Sequence, residues 1–183
     1  MQAGINLLET NVFGSLAHHE MAKYGNAPGL KMLLDKDIRA LNKQGHKDGY
    51  VCLHWAAREG HIDCVRVLLA FKCELDLQSS NSNTPLHVCI SHYLEKSKEQ
   101  LEKAMKSIKY HKQYTACIID LVKAGANLEY PSREGLSALA ALCRIEPEFT
   151  NNKFGGEEAC RAIFAKVSEP RAKRASNTIH TLN

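Results

Sequence analysis

Long apolar stretches are lacking: the 183-residue chain contains no run of eighteen apolar residues, so the sequence predicts no membrane-spanning helix. The first ten residues lack a basic segment followed by an apolar core, which argues against a secretory signal. The Gly-rich phosphate loop and the G-x-S-x-G and H-E-x-x-H motifs are also missing. These absences predict a protein that is not an enzyme and has no catalytic or cofactor-binding residues.

Paired cysteine spacings are lacking as well. The seven cysteines are scattered, and no two of them form the C-x-x-C spacing that zinc sites use. His87, Cys89 and His92 lie close in sequence, but no fourth metal ligand accompanies them. We therefore expect no metal site, and instead buried, reduced thiols in a cytoplasmic, intracellular compartment.

The composition that is present fits a single domain. Hydrophobic residues make up 44% of the chain and charged residues 24%, which is a globular balance. The net charge of +4 is mild, so nucleic acid is an unexpected partner. We expect a monomer.

A short pattern recurs with a fixed period. Leu53-His54 returns as Leu86-His87, a spacing of 33 residues, and 84–87 followed by Cys89 approximates T-P-L-H-x-A. These residues resemble the ankyrin repeat family, which implies a β-turn and two helices in each repeat. The expected fold is an all-α ankyrin-repeat solenoid of about four helix-turn-helix repeats, within an ankyrin domain at 1–167. The repeats are placed at about 11–42, 43–77, 78–129 and 130–167, and a basic polar tail follows at 168–183.

The second repeat has the clearest helical pattern. The sequence predicts a first helix near 52–59, a break at Gly60-His61 and a second helix near 62–71. Val65, Leu68 and Leu69 fall at helical spacing, so we expect them on one apolar face. The first repeat is degenerate, as terminal repeats of a stack often are.

Two insertions distinguish the chain from a regular repeat array. The third repeat contains about 20 extra residues within about 94–113, rich in Lys and Glu and free of Gly and Pro, which predicts a helical insertion. We expect an elongated helical hairpin that projects beyond the stack. The fourth repeat contains about nine extra residues marked by Pro147, Gly155 and Gly156, which predict a loop.

The resemblance also implies a binding surface on the concave face of helices and turns. Trp55 is the only Trp and occupies the first variable position after Leu53-His54, where we expect it to face outward as a binding hot spot. His54 and His87 are expected to bond to turn backbone instead. The residues predicted to bind protein are Tyr50, Trp55, Arg58, Glu59, Val88, Ser91, His92, Tyr130, Arg133 and Arg144.

The most favoured function is a non-catalytic protein-protein interaction module, an adaptor or inhibitor, with a partner protein of unknown identity. One alternative is binding of a polyanion or a membrane surface through the lysine-rich insertion. Another is a diverged microbial or viral effector that acts on host proteins, delivered into a host cell. In the tail, 173–176 resembles a basophilic kinase site and its basic cluster resembles a nuclear-import signal.

Overall fold

The computed structural model describes residues 6–45, 47–100, 107–138 and 141. Within these residues the secondary structure consists of helices, turns and isolated β-bridges. The α-helices are α1 (Ala17–Lys23), α2 (Ala27–Lys36), α3 (Cys52–Glu59), α4 (Ile62–Ala70), α5 (Pro85–Gln100) and α6 (Ser107–Ala124), with a short 3₁₀ turn at Ile38–Ala40. The prediction of an all-α repeat fold is confirmed.

The helices form two layers. The inner layer consists of α1, α3 and α5, which pack side by side, and the outer layer consists of α2, α4 and α6. Each inner helix also packs against the outer helix that follows it. Val65 and Leu68 of α4 are fully buried between the layers, as their spacing predicts, and Leu69 is partly buried beside them.

Tight turns precede the inner helices and project from the stack as four fingers: finger 1 (10–16), finger 2 (45–50), finger 3 (79–83) and finger 4 (131–137). Fingers 1, 2 and 4 are closed by antiparallel bridges between their end residues, and finger 3 by the bond from Ser79 N–H to the Asn83 carbonyl, 2.9 Å. Each finger has a left-handed residue at the equivalent place, namely Gly14, Gly49, Ser82 and Gly135. The repetition shows that the degenerate first repeat retains a complete finger.

Histidines at the start of the inner helices connect successive repeats. In α1 and α3, Nδ1 of His19 and His54 accepts a hydrogen bond from the backbone N–H three residues earlier, at 3.2 and 3.3 Å. Their Nε2 atoms contact the carbonyl oxygens of Lys43 and Asn83 in the next repeat, both at 2.9 Å. The prediction that His54 bonds to turn backbone is therefore confirmed, and this series of contacts is called the histidine ladder below.

The third repeat has longer helices than the second. Helix α5 has 16 residues and α6 has 18, whereas α3 has eight and α4 has nine. The residues between α5 and α6 lie outside the described part, so the hairpin predicted within 94–113 stays a prediction. The loop insertion of the fourth repeat and the tail also lie outside it.

Candidate functional site

The inner helices and the fingers form one face of the stack, called the groove below, and aromatic and cationic side chains pack together on it at the second repeat. The Trp55 ring on α3 meets the Tyr50 ring of finger 2 edge to face, with ring centroids 5.0 Å apart. Lys23 Nζ, at the end of α1, lies 4.9 Å from the Trp55 ring centroid. The guanidinium carbon of Arg58 lies 5.7 Å from the same centroid. We call Lys23, Tyr50, Trp55 and Arg58 the aromatic-cation cluster.

The structure corrects the expectation that Trp55 faces outward. The residue is only 6% exposed and belongs to the continuous hydrophobic core. Tyr50 from its own finger contacts the indole, and the charged groups of the partly exposed Lys23 and Arg58 lie over it. The partly exposed groups at this position are therefore Lys23 and Arg58, which lie over the indole, and the exposed Tyr24 ring lies beside Lys23.

The charges around the cluster are mixed. Arg58 Nη1 forms an ion pair with Glu59 Oε1 at 2.9 Å, and both side chains are about one-third exposed. His92 Nδ1 lies 3.2 Å from Glu95 Oε2 on the neighbouring helix α5. Burial lowers the pKa of His92, and nearby Arg58 lowers it further. The groove thus presents polar groups of both signs around a buried aromatic centre.

The remaining predicted residues separate into three groups. Val88 is buried with 6% exposure, because it occupies the same helical position in α5 that Trp55 occupies in α3, so its placement on the surface was wrong. Ser91 is exposed on α5, and Tyr130 and Arg133 are exposed at finger 4. Arg144 lies outside the described residues.

Lys23 was missed by the sequence analysis, although a signal was present. His19 and Gly25 match His54 and Gly60 at a spacing of 35 residues, and the same spacing relates Lys23 to Arg58. Two successive repeats therefore place a cation at the same point of the inner helix. Finger 1 was missed too, and it exposes Val12 and Phe13 at 94% and 66%.

The described cysteines are poor candidates for chemistry. Cys52, Cys64, Cys73, Cys89 and Cys117 are free thiols buried in the core. Burial raises the pKa of Cys64 to about 11 and that of Cys73 to about 12. Thiols with such pKa values are not ionised near neutral pH and are weak nucleophiles and metal ligands.

The described part of the chain lacks two kinds of feature. It contains no group of three or more His, Cys, Asp or Glu arranged to hold a metal ion. It also contains no helix that is both long and apolar enough to cross a membrane.

The side chains at 97–111, which include most of the lysine-rich insertion, lie outside the described residues. Lys96 and Lys112 flank this segment on α5 and α6, and Lys112 is exposed.

Known proteins share the repeat pattern. The family described as ankyrin repeats (3 copies) matches residues 18–103. Human ankyrin repeat domain-containing protein 53 is 31% identical over 84 residues, which is 45% of this chain and 16% of that protein. Mouse ankyrin repeat and SOCS box protein 16 is 44% identical over 43 residues, 24% of this chain and 10% of that protein.

A fungal relative shows the same partial likeness. Target of rapamycin complex 2 subunit AVO2 of Saccharomyces cerevisiae is 28% identical over 79 residues, 43% of this chain and 18% of that protein. The chain thus matches less than a fifth of the length of each of these relatives. The family model and the order of the helices agree, so residues 18–103 match the ankyrin repeat family.

Proposed function

We propose that the protein binds a partner protein through its concave groove, with the aromatic-cation cluster as the centre of the contact, and acts as an adaptor or inhibitor. Ankyrin repeats are generally protein-protein interaction modules. The observation that carries the proposal is the placement of two cations, from consecutive repeats, over one indole ring.

The cluster favours binding because its charged groups are held in place before a partner arrives. A cation above an aromatic ring gains about 0.5–1 kcal/mol at a partly exposed site, which limits the freedom of both long side chains. A side chain that is already ordered loses less conformational entropy on binding. Arg58 in addition offers a planar fork of donors, a type of group that is frequent among binding hot spots.

Trp55 has a supporting role in this proposal. Because the indole is buried, a partner would contact the cationic heads and the exposed Tyr24 ring rather than Trp55 itself. Substituting Trp55 would therefore disturb folding and binding together. The test has to alter the cations and leave the indole in place.

The experiment compares two double variants with equal charge loss. Lys23→Met with Arg58→Met removes the groove cations and keeps their apolar stems, while Lys36→Met with Lys112→Met removes two exposed cations from the outer helices α2 and α6. Affinity capture read by quantitative mass spectrometry identifies the partner, and calorimetry then measures the affinity. We expect the groove variant to bind about 2 kcal/mol more weakly, roughly thirtyfold, and the control to bind normally. Equal binding by both variants would move the contact away from this cluster.

A further inference from the structure

The histidine ladder changes at its third step. His87 on α5 is 4% exposed, and its Nδ1 lies 2.8 Å from the Thr84 hydroxyl and 3.3 Å from the Thr84 backbone N–H. Because Nδ1 accepts from these groups, the ring proton resides on Nε2, which is the donor atom at the two earlier steps. Nε2 of His87 is buried and has no hydrogen-bond partner among the described residues, whereas Nε2 of His19 and of His54 each contacts a carbonyl oxygen.

A cavity opens beside this donor. It has a volume of about 360 Å³ and lies between finger 3 and finger 4 along α5. His87 lines it together with Asn81, Asn83, Ser91 and Ser132. One liquid water occupies about 30 Å³, so the space is large enough for a side chain rather than for a single water.

Acceptors lie close to the same donor. The carbonyl groups of Leu136 and Tyr130 lie near enough to raise the pKa of His87, against the larger lowering that burial causes. Glu134 of finger 4 adds a carboxylate to the lining. A group that accepts one hydrogen bond from Nε2–H and offers a proton to neighbouring oxygens would suit this space.

We propose that this cavity binds an amide group of the partner protein. The amide oxygen accepts from His87 Nε2–H, and the amide N–H donates toward the carbonyl oxygens of Leu136 or Tyr130. The Asn81, Asn83 and Ser132 side chains, which can both donate and accept, suit the same chemistry. This inference rests on the proposed function, since it assigns part of the groove to one chemical group of the bound partner.

A carboxylate of similar shape fits the site less well. It has two acceptor oxygens and no proton to donate near neutral pH, so it would be repelled by the carbonyl oxygens of Leu136 and Tyr130. Arg133 and Glu134 are neighbours on finger 4, both are exposed, and their opposite charges offset each other, so this pair does not decide between an acid and an amide. The environment of the buried donor therefore favours an amide over an acid.

Three small probes test the assignment without knowledge of the partner. Acetyl-asparagine methylamide carries a side-chain amide, acetyl-alanine methylamide carries only backbone amides, and acetyl-aspartate methylamide carries an isosteric carboxylate. Each is titrated into the ¹⁵N-labelled full chain at neutral pH, and the imidazole signals of His87 and the amide signals of Ser91 and Leu136 are followed. We expect saturable shifts with a dissociation constant on the order of 10 mM, because fragments of this size gain little binding energy.

The relative binding of the three probes shows whether the cavity prefers an amide. Binding by the asparagine probe alone assigns the site to a side-chain amide, and equal binding by the alanine probe assigns it to a backbone amide; both support the proposal. A preference for the aspartate probe, or no saturable shift with any probe, overturns it.

Two variants keep the result interpretable. Ser91→Leu fills the cavity from an exposed position of α5, while Ala124→Leu adds a similar side chain at an exposed position of α6 away from the cavity. We expect at least tenfold weaker probe binding for the first and no change for the second. The probes do not touch the aromatic-cation cluster. A failure of the probe titration therefore does not contradict the proposed role of Lys23 and Arg58, and normal binding by the Lys23 and Arg58 variant does not contradict the amide site.

Discussion

Protonation of His54 should weaken the fold as the pH falls below neutrality. Its ring is buried between two repeats, and both ring nitrogens bond in a way that only the neutral form allows. Burial lowers the pKa of His54 from 6.5 to about 4, although the hydrogen bond to the Asn83 carbonyl raises it in part. A proton added at Nδ1 would replace an accepted hydrogen bond with a repulsive contact to the Val51 N–H.

The sign of the effect follows from proton binding. Between pH 6.5 and about 4 the unfolded chain binds a proton at His54 and the folded chain does not, so the free energy of unfolding decreases as the pH falls. The stability that neutral His54 contributes is fully present above its pKa in the unfolded chain and is lost as the pH falls from 6.5 to about 4. The complete loss corresponds to about 3 kcal/mol, of which about 2 kcal/mol is lost between pH 7 and pH 5, where most carboxylates stay ionised.

The assay is urea unfolding at pH 7 and pH 5, followed by far-ultraviolet circular dichroism, for the wild type and His54→Gln. Burial also lowers the pKa of His18, His87 and His92. The total decrease in the free energy of unfolding of the wild type should therefore exceed the part that His54 contributes. Glutamine does not titrate, so the variant should lose about 2 kcal/mol less than the wild type over the same interval. Equal losses in both proteins would refute the assignment of a neutral, buried His54.

Four further outcomes are expected. Leu68→Ala removes a fully buried side chain and should lower the free energy of unfolding in urea by about 2–5 kcal/mol; a loss below about 0.5 kcal/mol, as at surface sites, would contradict its burial. Trp55→Ala should cost about 3–5 kcal/mol in the same assay, and an unchanged melting temperature would restore the outward-facing interpretation. Gly60→Ala should lower the free energy of unfolding by more than about 1 kcal/mol, because Gly60 has φ +72° and an added Cβ would lie 3.0 Å from the Tyr114 ring. An unchanged midpoint of urea unfolding would contradict this backbone conformation. All seven cysteines should react with a thiol reagent in denaturant, because those described are free and buried; fewer than seven would indicate disulfides.

The helical framework could be predicted from sequence because it depends on local patterns. The first helix of the second repeat spans the predicted residues 52–59, and the second ends at Ala70, one residue before the predicted end. Gly60 ends the first helix in the left-handed conformation that favours glycine. Turn signals, apolar spacing and the His positions all lie within one repeat, so a single repeat contains the information.

The candidate site was only partly predictable because it depends on neighbours from other repeats. The alignment of the repeats predicted that Trp55 lies on the concave face. Its burial depends on Lys23 of the preceding repeat and on Tyr50 of its own finger. The cavity at finger 4 was not predicted at all. It depends on the distance between two fingers separated by α5 and α6, and no pattern within a repeat encodes that distance.

One helical position explains why the groove differs along its length. The position held by Trp55 in α3 is held by Val88 in α5 and by Ala141 in the fourth repeat, and all three residues are buried at 6% exposure. At finger 2 the large indole fills the space and supports cations at the surface, whereas Ala141 lines the cavity at finger 4. Because side-chain volume falls from Trp to Val to Ala, protein atoms fill the described part of the groove at the second repeat and leave a cavity between fingers 3 and 4. A partner that lies along it would therefore meet charged side chains over the second repeat and insert a side chain or backbone amide beside the fourth.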